Sequence, residues 1–174
     1  MIEVVFNSKG AIKNTTIEKY NLDDTAWINV CNPSKEEFFL ISKKFNISES
    51  TLNQFLDNNE IPRIEKLKEL EIIILKFLVE KKVRTLGIIK SKSYVLTSCI
   101  EDINIKVDSE SLSKDSLHLL KFILNKLINN FSLKLNSIEE EISYLEDIMF
   151  DEKKKKDNKE IYHLKKELMY IKKG

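Results

Sequence analysis

The longest periodic stretch of apolar residues covers residues 113–150 and predicts one long helix. Apolar residues recur seven positions apart, and a second set follows each of them by three or four positions, as on one helix face. These residues are Leu117, Leu120, Leu124, Leu127, Ile128, Phe131, Leu135, Ile138, Ile142, Leu145 and Met149. Thirty-odd helical residues at about 1.5 Å each reach about 50 to 55 Å, more than the diameter of a small domain. We therefore expect this helix to project from the body.

A second, shorter helical arm follows the long helix. The polar run 151–159 turns the chain back, and apolar residues then recur at spacings of three, four and three over residues 161–171. In the long helix the spacing of the second apolar set changes after Leu127, as expected if the second half packs on one partner helix. We interpret residues 113–174 as a helical hairpin whose return arm is truncated, so that the chain is part of a larger protein.

Residues 1–112 contain several short β-prone runs and predict an α/β body. The predicted strands are 2–6, 11–20, 26–30, 72–78, 83–90 and 93–98, and residues 100–107 fit a strand or a linker. A helix beginning near Glu65 is the alternative to the strand at 72–78. Trp27, the only tryptophan, is predicted to be a core residue on a strand. Five or six strands mixed with short helices indicate α/β layers that carry the hairpin.

Two short helices are indicated by their start signals. Ser34 is followed three residues later by Glu37, which is a capping box, and apolar residues then recur at helical spacing. A second helix is predicted from Ser48, ending near the Asp-Asn-Asn run at 57–59 because these residues favour turns. For the long helix, Ser113 or Asp115 is the predicted cap.

Composition limits the classes of partner. An apolar content of 42% with 33% charged residues is typical of a globular core under a well-solvated surface. The sequence has 29 basic and 28 acidic residues, so its net charge gives no reason to expect nucleic acid as a partner. The longest apolar run, 72–75, is far shorter than the ~20 residues of a membrane helix. Cys31 and Cys99 form no Cys-x-x-Cys pair, so we expect no disulfide framework or zinc site and a reducing cytosol.

The sequence contains no recognisable catalytic motif, and we expect no enzyme. Nucleophile-elbow, HExxH and P-loop patterns are missing, and three glycines leave little material for a phosphate-binding loop. His118 and His163 lack partners at metal-ligand spacing and are interpreted as surface residues. Consecutive carboxylates at 139–141 diverge by about 100° each around a helix, which favours a solvated acidic face. Acidic residues bracket the lysine run 153–156, as in a solvated hairpin tip.

Four separated segments together form a characteristic pattern. They are Trp-Ile-Asn-Val-Cys-Asn-Pro-Ser-Lys-Glu-Glu at 27–37, residues 52–56, Glu-Ile-Pro-Arg-Ile-Glu at 60–65 leading into Ile-Ile-Ile-Leu at 72–75, and Leu-Lys-Lys-Glu-Leu at 164–168. In this order they resemble the cytoplasmic part of the CorA family of magnesium transporters. The resemblance implies an α/β/α sandwich with a mixed sheet, followed by a long helical hairpin. In the family, the next elements are a stalk helix, two membrane helices and a Gly-Met-Asn signature. This sequence does not contain the signature.

The resemblance also implies a function. It indicates the cytoplasmic regulatory domain of a magnesium or other divalent-cation transport protein, truncated before the stalk and attached to the membrane only through the missing C-terminal segment. The intact protein would be a pentamer of identical subunits at the cytoplasmic face of the cell membrane. Its cation would be Mg²⁺ or another divalent ion such as Co²⁺, bound weakly or not at all by this fragment. The residues alone equally favour a soluble scaffold or adaptor that docks a partner through the hairpin, and only the resemblance decides against it.

Carried over to this chain, the resemblance locates a candidate metal site at the end of the second short helix. In the family, acidic residues just before the Pro-Arg motif bind regulatory magnesium between subunits, together with a stalk carboxylate. The matching positions here are Asn53 and Gln54, which are neutral, and the asparagines at 129–130 stand where relatives tend to carry acids. Asp57 and Glu60 are the nearest carboxylates and are the metal ligands we predict if a site persists there; the alternative is that both only solvate the end of the helix.

Overall fold

A seven-stranded mixed sheet is the centre of the fold. The computed structural model describes residues 1–8, 11–21, 25–79, 82–113 and 115–150, with Tyr162, Lys165, Lys166 and Met169 beyond them. The strands are β1 (Ile2–Ser8), β2 (Ala11–Thr15), β3 (Ala26–Cys31), β4 (Arg63–Leu67), β5 (Leu70–Val79), β6 (Lys82–Lys90) and β7 (Tyr94–Cys99). The helices are α1 (Lys35–Phe45), α2 (Glu49–Gln54), α3 (Ser109–Ser113) and α4 (Ser116–Phe150).

The strands lie in the order β2-β1-β3-β7-β6-β5-β4. The central pair, β3 and β7, is parallel and places Trp27 beside Val95, whereas each of the other described pairs is antiparallel. Two neighbouring strands that run parallel need a crossover connection, because a tight turn can join only antiparallel strands. Here the crossover contains α1, α2 and the strands β4 to β6, which add to the sheet on the far side of β7.

Helices cover both faces of the sheet. On one face α1 and α2 bury Phe38, Ile41, Phe45 and Leu52 against the strands. On the other face α3 and the first part of α4 bury Leu112, Leu119, Leu120, Ile123 and Leu127. Nearly every residue of β3 and β7 is buried, as expected for strands that are covered on both sides. The predicted α/β/α sandwich with a mixed sheet is confirmed.

The helix start signals are confirmed in detail. The Glu37 N–H donates to Ser34 Oγ at 3.2 Å, and the Ser34 N–H donates to Glu37 Oε2 at 2.8 Å, which completes the capping box of α1. Ser48 caps α2 by accepting from the Thr51 N–H at 3.1 Å. Short polar side chains therefore set where both helices begin.

The edge strand β4 differs from the sequence prediction. Arg63–Leu67 pairs with β5 through a two-residue turn at 68–69, in which Lys68 has a φ of 57°. The alternative of a helix beginning near Glu65 is therefore wrong, and the sheet has seven strands rather than five or six. This strand is mostly exposed, so its side chains show no apolar alternation, and backbone hydrogen bonds to β5 define it.

The long helix is confirmed with Asp115 as its cap, and most of its predicted apolar face is buried or half-buried. A separate short helix, α3, precedes it, and Asp115 Oδ1 accepts from the His118 N–H at 2.7 Å at its first turn. Over its 35 residues α4 spans roughly 52 Å. Leu117 and Ile128, expected on the packed face, are 46% and 60% exposed. Leu119 and Ile123, which lie outside the predicted face, are buried, because the sheet surface sets the orientation of the helix.

The second half of α4 packs near the end of β5 and the start of β6, where these two strands are joined. Ile138, Ile142 and Leu145 are buried and belong to one cluster with Leu78. Lys165 of the return segment forms an ion pair with Glu146 of α4 at 2.7 Å. The predicted apolar residues of the return arm, Ile161, Leu164, Leu168 and Ile171, lie outside the described residues.

Replacing Trp27 by alanine is expected to cost about 3 to 5 kcal/mol of unfolding free energy, because it leaves a cavity between the sheet and α4. The indole is 2% exposed, and its N–H donates to Thr97 Oγ1 at 2.9 Å. Chemical denaturation measures the loss. Leu133→Ala, at a side chain that is 68% exposed, is the matched control and should change stability by less than ~0.5 kcal/mol. A loss below ~1 kcal/mol for Trp27→Ala would contradict its place in the core.

Candidate regulatory metal site

Two buried side chains fix α2 on the sheet. Leu52 and Phe55 are fully buried, and the Phe55 ring lies directly over Gly87 of β6. A Cβ atom at Gly87 would stand 1.8 Å from Cγ of that ring, so only glycine allows this close approach. Core packing therefore fixes the end of α2 and, with it, the start of the polar turn that follows.

The turn after α2 carries the two predicted ligands. Asp57 Oδ1 accepts from the Asn59 N–H at 2.9 Å, and the Glu60 N–H donates to the backbone oxygen of Asp57 at 3.2 Å. The Asp57 side chain is exposed and that of Glu60 is half-buried. One carboxylate oxygen of Asp57 thus serves the turn itself, as is common where an aspartate follows a helix.

Arg63 ties the turn to the start of β4. Its guanidinium forms ion pairs with Glu65 and Glu60, and it donates to Gln54 Oε1 at 3.2 Å. These two carboxylates, Glu65 first, raise the pKa of the guanidinium above its ordinary value. Glu60 is therefore already paired with the Arg63 guanidinium, and the neutral Gln54 accepts a hydrogen bond from the same guanidinium.

Lys76 of β5 reaches the same turn from the sheet. Its ammonium donates to the backbone oxygen of Asn58 at 2.7 Å and to Thr85 Oγ1 at 2.9 Å. The buried Thr85 donates in turn from Oγ1 to the backbone oxygen of Asp57 at 2.7 Å, and its N–H donates to Asn58 Oδ1 at 3.2 Å. Burial lowers the pKa of Lys76, and the negative charges of Asp57 and Glu60 oppose that shift.

The structure brings Asp57 and Glu60 into one turn without completing a metal site. Among the residues that the structure describes, no group of three His, Cys, Asp or Glu could bind a metal ion. Magnesium needs several oxygen ligands and negative charge, and here Arg63 and Lys76 already neutralise the local carboxylates. The asparagines at 129–130 lie on α4, which covers the opposite face of the sheet from α2. Within one chain, the described residues do not fit a bound magnesium ion.

Sequence reasoning found the turn but missed the lysine and threonine that contact it. Lys76 is the one polar residue in the apolar run 72–79, and this was the available signal. A lysine inside a strand that is otherwise core must have an acceptor within reach of its stem. Thr85 has no such signal, because its role depends on the register that places it opposite Lys76.

Comparison with known proteins identifies the family. A family model described as CorA-like Mg²⁺ transporter protein matches residues 23–174. The chain belongs to this family. Its members are transporters, which supports the expectation that the chain is not an enzyme.

Relatives of the chain include a protein of Methanocaldococcus jannaschii. The chain is 31% identical over 192 residues to the cobalt/magnesium transport protein CorA of that organism, covering all of this chain and 60% of the relative. The complete structure of that organism's CorA magnesium transporter matches with a TM-score of 0.81 and 26% identity, over 99% of this chain and 58% of the other. The chain therefore spans about three fifths of the length of this curated relative.

Structures of soluble domains give the same fold. The soluble domain of CorA from Methanocaldococcus jannaschii matches with a TM-score of 0.67 and 28% identity, covering 87% of this chain and 65% of that one. The ZntB cytoplasmic domain from Vibrio parahaemolyticus matches with a TM-score of 0.63 at 15% identity, over 82% and 63% of the two chains. The second likeness shows a shared fold alone.

Across the described ranges, no helix is both long and apolar enough to cross a membrane. Even α4, which has the length, carries charged residues throughout. Lys121, Lys126, Lys134 and the glutamates at 139–141 interrupt its apolar stretches.

Gly87→Ala is expected to destabilise the protein by about 1 to 3 kcal/mol, because the added methyl group must displace the Phe55 ring. Urea denaturation measures the change. The control is the double-mutant cycle with Phe55→Ala, in which the ring is absent and the same methyl group should cost much less. Additive effects of the two substitutions would contradict the contact between Gly87 and Phe55.

Proposed function

We propose that this chain is the cytoplasmic regulatory domain of a divalent-cation transport protein. The supporting observation is the 28% identity and common fold with the soluble domain of an archaeal CorA, in a chain that belongs to the same family. In this proposal residues 1–112 form the α/β body, and residues 113–174 form the helical hairpin that leads toward the stalk. The domain performs no chemistry of its own and acts by changing conformation or contacts between subunits.

The cargo follows from the named relative. The archaeal protein is named for cobalt and magnesium transport, so we take Mg²⁺ as the cargo, with Co²⁺ as a second candidate. Both ions are substrates of the whole transporter. The alternative of a soluble scaffold or adaptor has no support from the family to which the chain belongs.

Regulation by magnesium would take place between subunits. Because α2 and α4 cover opposite faces of the sheet, a site that joins the end of α2 to a long helix needs a second copy of the chain. This agrees with a pentamer of identical subunits in the intact protein. We propose Asp57 and Glu60 as the contacts that remain at this interface. The response to magnesium is weak, because Asn53 and Gln54 carry no charge and Arg63 already pairs with Glu60.

The coding sequence beyond Gly174 tests the assignment directly. We expect two apolar stretches of about 20 residues, each long enough to span a bilayer. A Gly-Met-Asn signature should lie between them. Sequencing the downstream region is the measurement, and a stop codon shortly after Gly174 would overturn the proposal.

In the intact transporter, magnesium should give the cytoplasmic part only weak protection against protease. An amide at Asn53 or Gln54 offers a dipole where relatives offer a full charge, and dehydrating magnesium requires charge. Limited proteolysis across a magnesium titration measures the effect in the wild type and in Asp57→Ala combined with Glu60→Ala. The double variant should lose the residual protection.

Two further variants serve as controls for this experiment. Asn53→Asp and Gln54→Glu restore charge at the neutral positions and should increase protection at a given magnesium concentration. Strong protection of the wild type that survives in the double variant but disappears on replacing Asn53 or Gln54 by alanine would show that the neutral positions still regulate.

A further inference from the structure

Lys76 is placed where a bound cation would be expected. The Lys76 side chain is half-buried and extends from β5 to the turn after α2. In the register of β5 and β6, Lys76 lies opposite Thr85. Its ammonium has two oxygen partners, the backbone oxygen of Asn58 at 2.7 Å and Thr85 Oγ1 at 2.9 Å. The carboxylates of Asp57 and Glu60 add negative charge nearby.

This set of oxygens is of the kind that hard metal ions use. Backbone carbonyl, hydroxyl and carboxylate oxygens are the usual protein ligands of Mg²⁺ and Ca²⁺. A lysine ammonium is a compact point charge with donors in three directions, so Lys76 satisfies the Asn58 and Thr85 oxygens without a metal. The oxygens are also fixed in place, because Thr85 is buried and bonds both Asp57 and Asn58.

We propose that the Lys76 ammonium is a built-in replacement for a divalent cation at the end of α2. It ties the turn at 57–60 to β5 and β6 in the absence of metal, and Arg63 does the same for Glu60 from the side of β4. This inference rests on the proposed weak response to magnesium and supplies its physical cause. Removing the ammonium should expose an oxygen-lined site that accepts Mg²⁺.

The test is Lys76→Met in the 174-residue chain, which keeps most of the apolar stem and removes the charge. Thermal unfolding is followed by circular dichroism with and without millimolar MgCl₂, against KCl of equal ionic strength. The wild type should show no change in Tm with Mg²⁺. The variant should melt at a lower temperature and regain about 2 to 4 °C with Mg²⁺, as expected for about 1 kcal/mol of ligand stabilisation.

Two variants make the response specific. Lys90→Met removes the same charge from β6, where the ammonium faces Glu71 at 3.4 Å and none of the turn oxygens, so its Tm should not depend on Mg²⁺. Adding Asp57→Asn to Lys76→Met removes the exposed carboxylate of the turn and should abolish the gain with Mg²⁺.

Each outcome decides the inference. A Lys76→Met chain that is destabilised but indifferent to Mg²⁺ would show that the lysine only tethers the turn, and an equal response of the wild type would also overturn the proposal. If the variant is unfolded without metal, recovery of its helical signal on adding Mg²⁺ supports the inference and no recovery overturns it. The downstream coding sequence tests the proposed function without this variant, so the two can fail separately.

Discussion

The parallel pairing of β3 with β7 is the constraint on which the rest of this structure depends. These strands are buried on both faces, so each must be covered by a helical layer on either side. The pairing also requires a crossover, and the chain uses that crossover to form α1, α2 and three further strands. Trp27 lies in this pair and donates to Thr97 on the neighbouring strand, which joins β3 to β7 by a buried side-chain hydrogen bond as well as by the backbone.

The crossover also positions the candidate metal site. It places α2 on the face opposite α4, with Phe55 seated on Gly87 and the following turn bonded to Thr85. Buried contacts therefore hold the polar end of α2 against the sheet.

Electrostatics at this turn differ from those of a metal-dependent site. Glu60 is paired with Arg63, and the ammonium of Lys76 lies in the field of Asp57 and Glu60, so both positive charges at this turn come from the chain itself. Covalently attached cations are present at any metal concentration, whereas a bound ion responds to it. Under the proposed function, attached cations would make this position structural rather than sensing, in keeping with the neutral Asn53 and Gln54.

Local features of this protein were readable from the sequence because they depend on neighbours a few residues away. The capping box of Ser34 and Glu37, the β-branched strands and the long helix are of this kind, and so is the absence of acids at Asn53 and Gln54. The tertiary structure alone decided the rest. The edge strand β4 is defined only by its backbone hydrogen bonds to β5. Packing of α4 on the sheet leaves Leu117 and Ile128 exposed. The contacts of Lys76 depend on strand register and on a turn 18 residues away in the chain, and no local pattern encodes such a pairing.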